Sequence, residues 1–101
     1  MRLVLARDAL KDIEAIGDWI AEDNPARAIT FVQELRDACH RILDAPRGYQ
    51  LVPRYERFGI RRKVEGDYLI FYRLPRNTVD VIHVLHGARD YEAILFPRAR
   101  R

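Results

Sequence analysis

Arginines and histidines stand at the ends of segments that otherwise read as core strands. Gly59-Ile-Arg-Arg-Lys63 carries Arg61 and Lys63, and Tyr68-Leu-Ile-Phe-Tyr-Arg73 ends on Arg73. His83-Val-Leu-His-Gly-Ala-Arg-Asp90 carries His86 and Arg89. The arginine fork takes a carboxylate or phosphate bidentately, whereas lysine is a compact point charge. Cations fixed on a rigid sheet suit a surface that grips an acidic or phosphate-bearing partner. His86, at a strand end, can donate, accept or change charge near neutrality. His83 sits among apolar neighbours and reads as a satisfied core histidine. The plainer alternative for Arg61 and Arg73 is cross-strand pairing with Glu65, Asp67 or Asp80.

Other chemistries find no support. Serine is absent, and the single cysteine, Cys39, falls on a predicted packing seam, so nucleophilic catalysis by either is not expected. One cysteine also excludes an internal disulfide and any cysteine-based zinc pattern. The three histidines are scattered and give no metal site, and no cofactor is implied. Gly48, Gly59, Gly66 and Gly87 are punctuation rather than a phosphate loop.

At 101 residues, 49% hydrophobic and 33% charged, the chain has the composition of one globular domain spanning residues 1–101. No apolar run approaches the roughly 20 residues that span a bilayer, and Asp8 interrupts the short apolar start. A cytoplasmic location without membrane contact is expected. The net charge of +3 is unevenly divided. Residues 1–46 hold six Lys/Arg against nine Asp/Glu, whereas residues 47–101 hold twelve against six. The two halves therefore present surfaces of opposite sign.

The elements that must position these groups follow in order. Leu3-Val4-Leu5 fits a short strand. Asp8 can cap a helix with an apolar stripe of Leu10, Ile13, Ile16, Trp19 and Ile20, and with Asp12, Glu14, Asp18 and Glu22 on its solvent side. Asn24-Pro25 ends that helix and starts another, Asn24 as cap and Pro25 where a missing N–H costs nothing. The second seam reads Ala28, Val32, Leu35, Cys39, Ile42, which with the short link makes an antiparallel helix hairpin. Pro46-Arg-Gly48 stops it. After an irregular stretch, Ile60–Val64, Tyr68–Leu74 and Val79–Leu85 read as an antiparallel meander, and Asp90 caps a last short helix before a basic tail.

The hairpin must lay its stripe on one sheet face, giving a two-layer α+β fold. The other face is left half-apolar and open, as a docking surface would be. If Ile60 and Val64 face the helices, Arg61 and Lys63 point to that open face. Trp19, Phe31, Tyr68, Phe71 and Tyr72 read as core. Phe31, off the seam, together with Trp19 leaves part of the hairpin apolar outside, where a partner helix would dock.

Five pieces in this order carry a resemblance: Asp12-Ile-Glu-Ala-Ile-Gly-Asp-Trp-Ile-Ala21, Asn24-Pro-Ala-Arg-Ala28, Gly59-Ile-Arg61, Tyr68–Arg73 and His86-Gly-Ala-Arg-Asp90. Across nearly its whole length the chain resembles the RelE/ParE superfamily of type II toxin–antitoxin toxins, and is most similar to the ParE branch. The resemblance implies a helix hairpin on a mostly antiparallel sheet of three or four strands. ParE-like toxins poison DNA gyrase without chemistry of their own. A cognate ParD-like antitoxin neutralises them, and operator DNA is reached only through that antitoxin. The implied antitoxin- or target-binding residues are Trp19, Phe31, Arg61, Lys63, Arg73, His86, Arg89, Arg98 and Arg100. RelE-like relatives instead cut mRNA on the ribosome. That alternative would use Arg61 and Arg73 to hold phosphate charge, and His86 or Glu56 to transfer protons. The His-Tyr or Lys-Arg-Tyr endings typical of the ribonucleases are absent, which favours the gyrase poison.

Overall fold

The computed structural model describes residues 1–99. Arg100, expected in the binding tail, lies outside the described residues. The chain runs β1 (Arg2–Leu5), α1 (Arg7–Ala21), α2 (Pro25–Arg41), a 3-10 turn (Ile42–Asp44), a second 3-10 turn (Glu56–Phe58), β2 (Arg61–Glu65), β3 (Tyr68–Arg73), β4 (Thr78–His86) and α3 (Tyr91–Leu95). The four strands form one sheet in the order β1-β4-β3-β2. The meander β2-β3-β4 is antiparallel, and β1 joins it parallel to β4, with Leu3 opposite Val79 and Leu5 opposite Val81. This is the expected α+β fold: a helix hairpin on a mostly antiparallel sheet, with a short C-terminal helix. Among the described residues, no helix is long and apolar enough to cross a membrane.

Local sequence sets most boundaries. Asn24 Oδ1 accepts the Arg27 N–H at 3.0 Å and Pro25 opens α2, as their residue types require. Gly66 takes φ +58° in the two-residue link from β2 to β3, where tight hairpin turns need a positive φ. Asp90 accepts from the Ala93 N–H and starts α3. Asp8 does not cap α1. The strand runs directly into the helix through Ala6, whose N–H bonds Val81, so Asp8 falls in the first turn.

The helix stripe is narrower than its sequence suggests. Ala9, Ile13 and Ile16 of α1 pack with Leu35, Ala38 and Cys39 of α2 against Ile70, Tyr72, Val79, Val81 and Val84 of the sheet. Leu10 and Trp19 fall outside it, 42% and 67% exposed, because the small Ala9 rather than Leu10 turns inward against the sheet. Trp19 is therefore not core. Gly17 lets the helices close up: a Cβ there would stand 3.0 Å from Val32 Cγ2.

Asp12 is the second departure from the helical wheel. β1 ends at Leu5, so the edge of β4 beyond Val81 has no strand beside it. The Asp12 carboxylate takes that place, accepting the Val84 N–H at 2.9 Å and bonding His83 Nδ1 at 2.7 Å. His83 is thereby a satisfied histidine, as expected, and its partner is a residue that reads as solvent-facing.

The outer face of the sheet is covered. Val52, Ile60, Leu69, Phe71, Leu85 and Phe96 form a second buried cluster, with Tyr55, Tyr91, Ile94 and Leu95 packed on it. The irregular segment and α3 supply the cover, so this face is not the open concave surface its strands alone imply. A register shift opposite Phe71 and Tyr72 resets the alternation of β4. Val81 and Val84 both face the helices, and Leu85 packs outside with Ile82, against the strict pairing of alternate residues.

Asp12→Ala leaves the Val84 N–H and the His83 ring without their partner. Urea unfolding should show a loss of about 1–3 kcal/mol, and a smaller one for Asp12→Asn, which keeps an acceptor. Burial pushes the Cys39 thiol up to about 11, so it is protonated at neutral pH. Iodoacetamide at pH 8 should modify it slowly in the folded protein and rapidly in urea.

Candidate functional site

A groove of about 620 Å³ opens where the helix hairpin meets the turn between β2 and β3. Trp19 and Ile20 of α1 and Phe31 of α2 form one wall; Tyr68 and His86, paired across β3 and β4, form the other. A smaller hollow of about 330 Å³ adjoins it, sharing Trp19, Tyr68 and His86 and reaching Arg89. The walls are aromatic. Phe31 and Tyr68 lie 5.5 Å apart, and Tyr68 meets the His86 ring edge-on at 5.2 Å. The Arg27 guanidinium sits 5.1 Å over Phe31 and is ion-paired with Glu34. Cations thus edge an apolar floor, the layout of a protein-docking hot spot.

The polar groups of the groove are held by their surroundings. Desolvation, and then Asp67, hold the Tyr68 hydroxyl above its ordinary range, so at neutral pH it is not a base. His86 Nδ1 accepts the Ala88 N–H at 3.0 Å, which ties one ring nitrogen to the turn leaving β4. Among the described residues, no three His, Cys, Asp or Glu side chains gather as metal ligands would.

Of the residues singled out from sequence, Trp19, Phe31, His86 and Arg89 come together at this groove and its neighbour. Arg61 and Lys63 do not. Register places Arg61 opposite Tyr72 and Lys63 opposite Ile70, so both lie on the helix side of the sheet and not on the outer face. The strand phase is the reverse of the expected one, because Ile60 belongs to the outer cluster. Arg61 donates to the carbonyls of Tyr49 at 2.7 Å and Arg47 at 3.3 Å, pinning the connection after α2. Lys63, only 8% exposed, reaches Glu65 at 3.1 Å. The outward cation of β2 is Arg62, which donates to Tyr91 Oη at 2.8 Å and Gln50 Oε1 at 3.2 Å.

Arg73 and Arg98 are exposed around a separate pocket on the outer side, with Phe58 and Phe96. Glu56 opens the 3-10 turn beside that region, also exposed. The four candidates for phosphoryl chemistry are thus divided. Arg61 is occupied by carbonyls on the helix side, His86 borders the groove, and Arg73 and Glu56 belong to the outer side. The groove residues missed from sequence are Arg27 and Tyr68. Arg27 four residues before Phe31 on one helix face was the available signal.

Trp19 is the only tryptophan and is 67% exposed. Its emission in the isolated protein should be that of a solvated indole, freely quenched by acrylamide. Shielded emission would contradict the open groove.

Comparison with known proteins places this geometry. The family described as "ParE toxin of type II toxin-antitoxin system, parDE" matches residues 3–91. Among solved structures, the chain is similar to the chromosomal ParDE TA system from P. aeruginosa, with 19% identity and a TM-score of 0.73. That match covers 85% of this chain and 95% of the other. At such identity the likeness concerns the fold. No curated protein sequence matches. The family match runs from β1 to the first residue of α3, through every strand and both helices that build the groove. The chain belongs to the ParE toxin family of type II toxin–antitoxin systems.

Proposed function

We propose that this toxin inhibits DNA gyrase by contact, without catalysis, and that a ParD-like antitoxin neutralises it by occupying the groove beside Trp19. Exposure of Trp19 carries the docking half of this reading. A tryptophan 67% exposed at the mouth of an aromatic groove is a large apolar area held ready for a partner. The partner segment is an amphipathic, acidic helix that folds on binding. Its apolar anchors lie between Trp19 and Phe31, and its carboxylates reach His86 and Arg89. Arg61 and Lys63 lie on the helix side of the sheet, engaged by the Tyr49 carbonyl and by Glu65, so the docking surface is the groove and not the whole arginine-bearing sheet.

The non-catalytic half rests on the dispersal of Arg61, Arg73, His86 and Glu56, since proton transfer and phosphate stabilisation must act on one reacting centre. Gyrase as target rests on membership of the family together with that dispersal. Operator DNA is reached through the antitoxin, and the toxin works in the cytoplasm. A role for the basic tail is tested only by cuts after Phe96. That residue is 4% exposed in the outer cluster, and its loss would damage the fold.

The test pairs two assays on antitoxin-free toxin: gyrase supercoiling with detection of cleaved DNA, and mRNA cleavage on programmed ribosomes. The expected result is inhibited gyrase, intact mRNA, and recovery of supercoiling on adding the antitoxin. Cut mRNA with unaffected gyrase overturns the reading. Trp19→Ala should weaken antitoxin binding by about 2 kcal/mol, roughly thirtyfold, as measured by calorimetry.

A further inference from the structure

The outer side of the sheet holds an arginine-and-aromatic pocket that the antitoxin groove does not use. Its floor is Ile60, Leu95 and Phe96, Phe58 forms one wall, and Arg73 and Arg98 stand at the rim, enclosing about 460 Å³. Phe58 is 40% exposed, and its ring lies 5.1 Å from Phe96, which in turn stacks on Tyr55 at 4.2 Å with the planes 1° apart. The presented ring is thus backed by a fixed aromatic stack. The Arg57 guanidinium lies over Phe58, 4.7 Å from its centroid. Arg57, Arg73 and Arg98 are exposed, and none has a carboxylate within ion-pair distance among the described residues. Asp80 stands opposite Arg73 in register but bonds Thr78.

We propose that this pocket binds single-stranded nucleic acid: one base takes the place of the Arg57 guanidinium on Phe58, and the flanking phosphates are held by the released Arg57 with Arg73 and Arg98. Three arginines without an ion pair among the described residues, beside one exposed aromatic ring, match an alternation of phosphate and base. Bases stack on an aromatic face without regard to sequence, and arginines follow the backbone. Duplex DNA fits less well, because its bases keep their faces inside the stack. An acidic helix also fits less well. At roughly 10–12 Å across, it would place about one turn in this pocket, far short of a stable protein interface. The proposal stands apart from gyrase inhibition and from the antitoxin groove. No bond is made or broken.

The experiment is fluorescence anisotropy of a labelled oligothymidylate of about ten nucleotides with antitoxin-free toxin, across a salt series. Three neutralised phosphates predict a log–log salt slope of about −2, a roughly 15- to 20-fold loss of affinity between 50 and 200 mM salt. Phe58→Leu keeps an apolar side chain but removes the π face, and should weaken binding at least about fivefold. Arg73→Gln and Arg98→Gln should each flatten the slope by about 0.7. Arg36→Gln, on α2, removes the same charge elsewhere and should change little. Absence of saturable binding at 50 mM salt overturns the proposal. So does binding indifferent to Phe58→Leu and Arg73→Gln, or a polyglutamate peptide that competes as well as the oligonucleotide. The arginine variants alter exposed side chains only, so the test holds even if the Phe58 variant is unstable.

Discussion

Burial of β3 on both sides governs the rest of the molecule. Leu69, Ile70, Phe71 and Tyr72 are four consecutive residues and all are buried. Side chains alternate along a strand, so two of them point to each face and each face must be kept from water. The helix hairpin covers Ile70 and Tyr72. Leu69 and Phe71 remain, and the chain meets them with the irregular segment around Val52 and Tyr55 and with α3 and Phe96. The second cover is thinner and less regular than the first, but it turns an apparently open face into core.

That demand decides what the basic residues do. Holding an irregular connection against a sheet edge leaves carbonyls to satisfy, and Arg61 donates to two of them. Tyr72 Oη donates to a third, on Pro46, at 2.6 Å, and burial pushes its hydroxyl up to about 12, which keeps it a donor at any ordinary pH. Arg62 is held by Tyr91 and Gln50, and Lys63 by Glu65. The dense basic run of β2 is thus largely structural. At the other end of the sheet the same logic recruits an acid: Asp12 completes the edge of β4 where β1 stops short.

Once these charges are committed, two surfaces stay available on opposite sides of the sheet. The groove at the hairpin carries aromatic rings edged by His86 and Arg89; the outer pocket carries one exposed ring among exposed arginines. One small fold in this way presents surfaces of different shape and charge on separate faces.

Local signals carried far in this sequence. Asn24-Pro25, Gly66 in its hairpin and Asp90 at α3 each act through bonds a few residues away, so residue type alone determines them, and the seam from Ala28 to Ile42 is read from helical spacing. The family resemblance was equally legible, because five short pieces in order are themselves a linear pattern. Strand phase was not: which of Ile60 or Arg61 turns inward depends on what the rest of the chain packs against each face. Nor was the shift in β4, which moved Ile82 to the outer side. Trp19 read as core because helical spacing gives a stripe but not its width, and width is set by how closely Gly17 and Ala9 let the helix approach its neighbours. The sequence by itself determined the elements, their order and the supply of arginines and aromatics. Only the tertiary structure decided which of those arginines are tied to backbone carbonyls and which stay exposed, because pairing energies depend on distances between residues far apart in the chain.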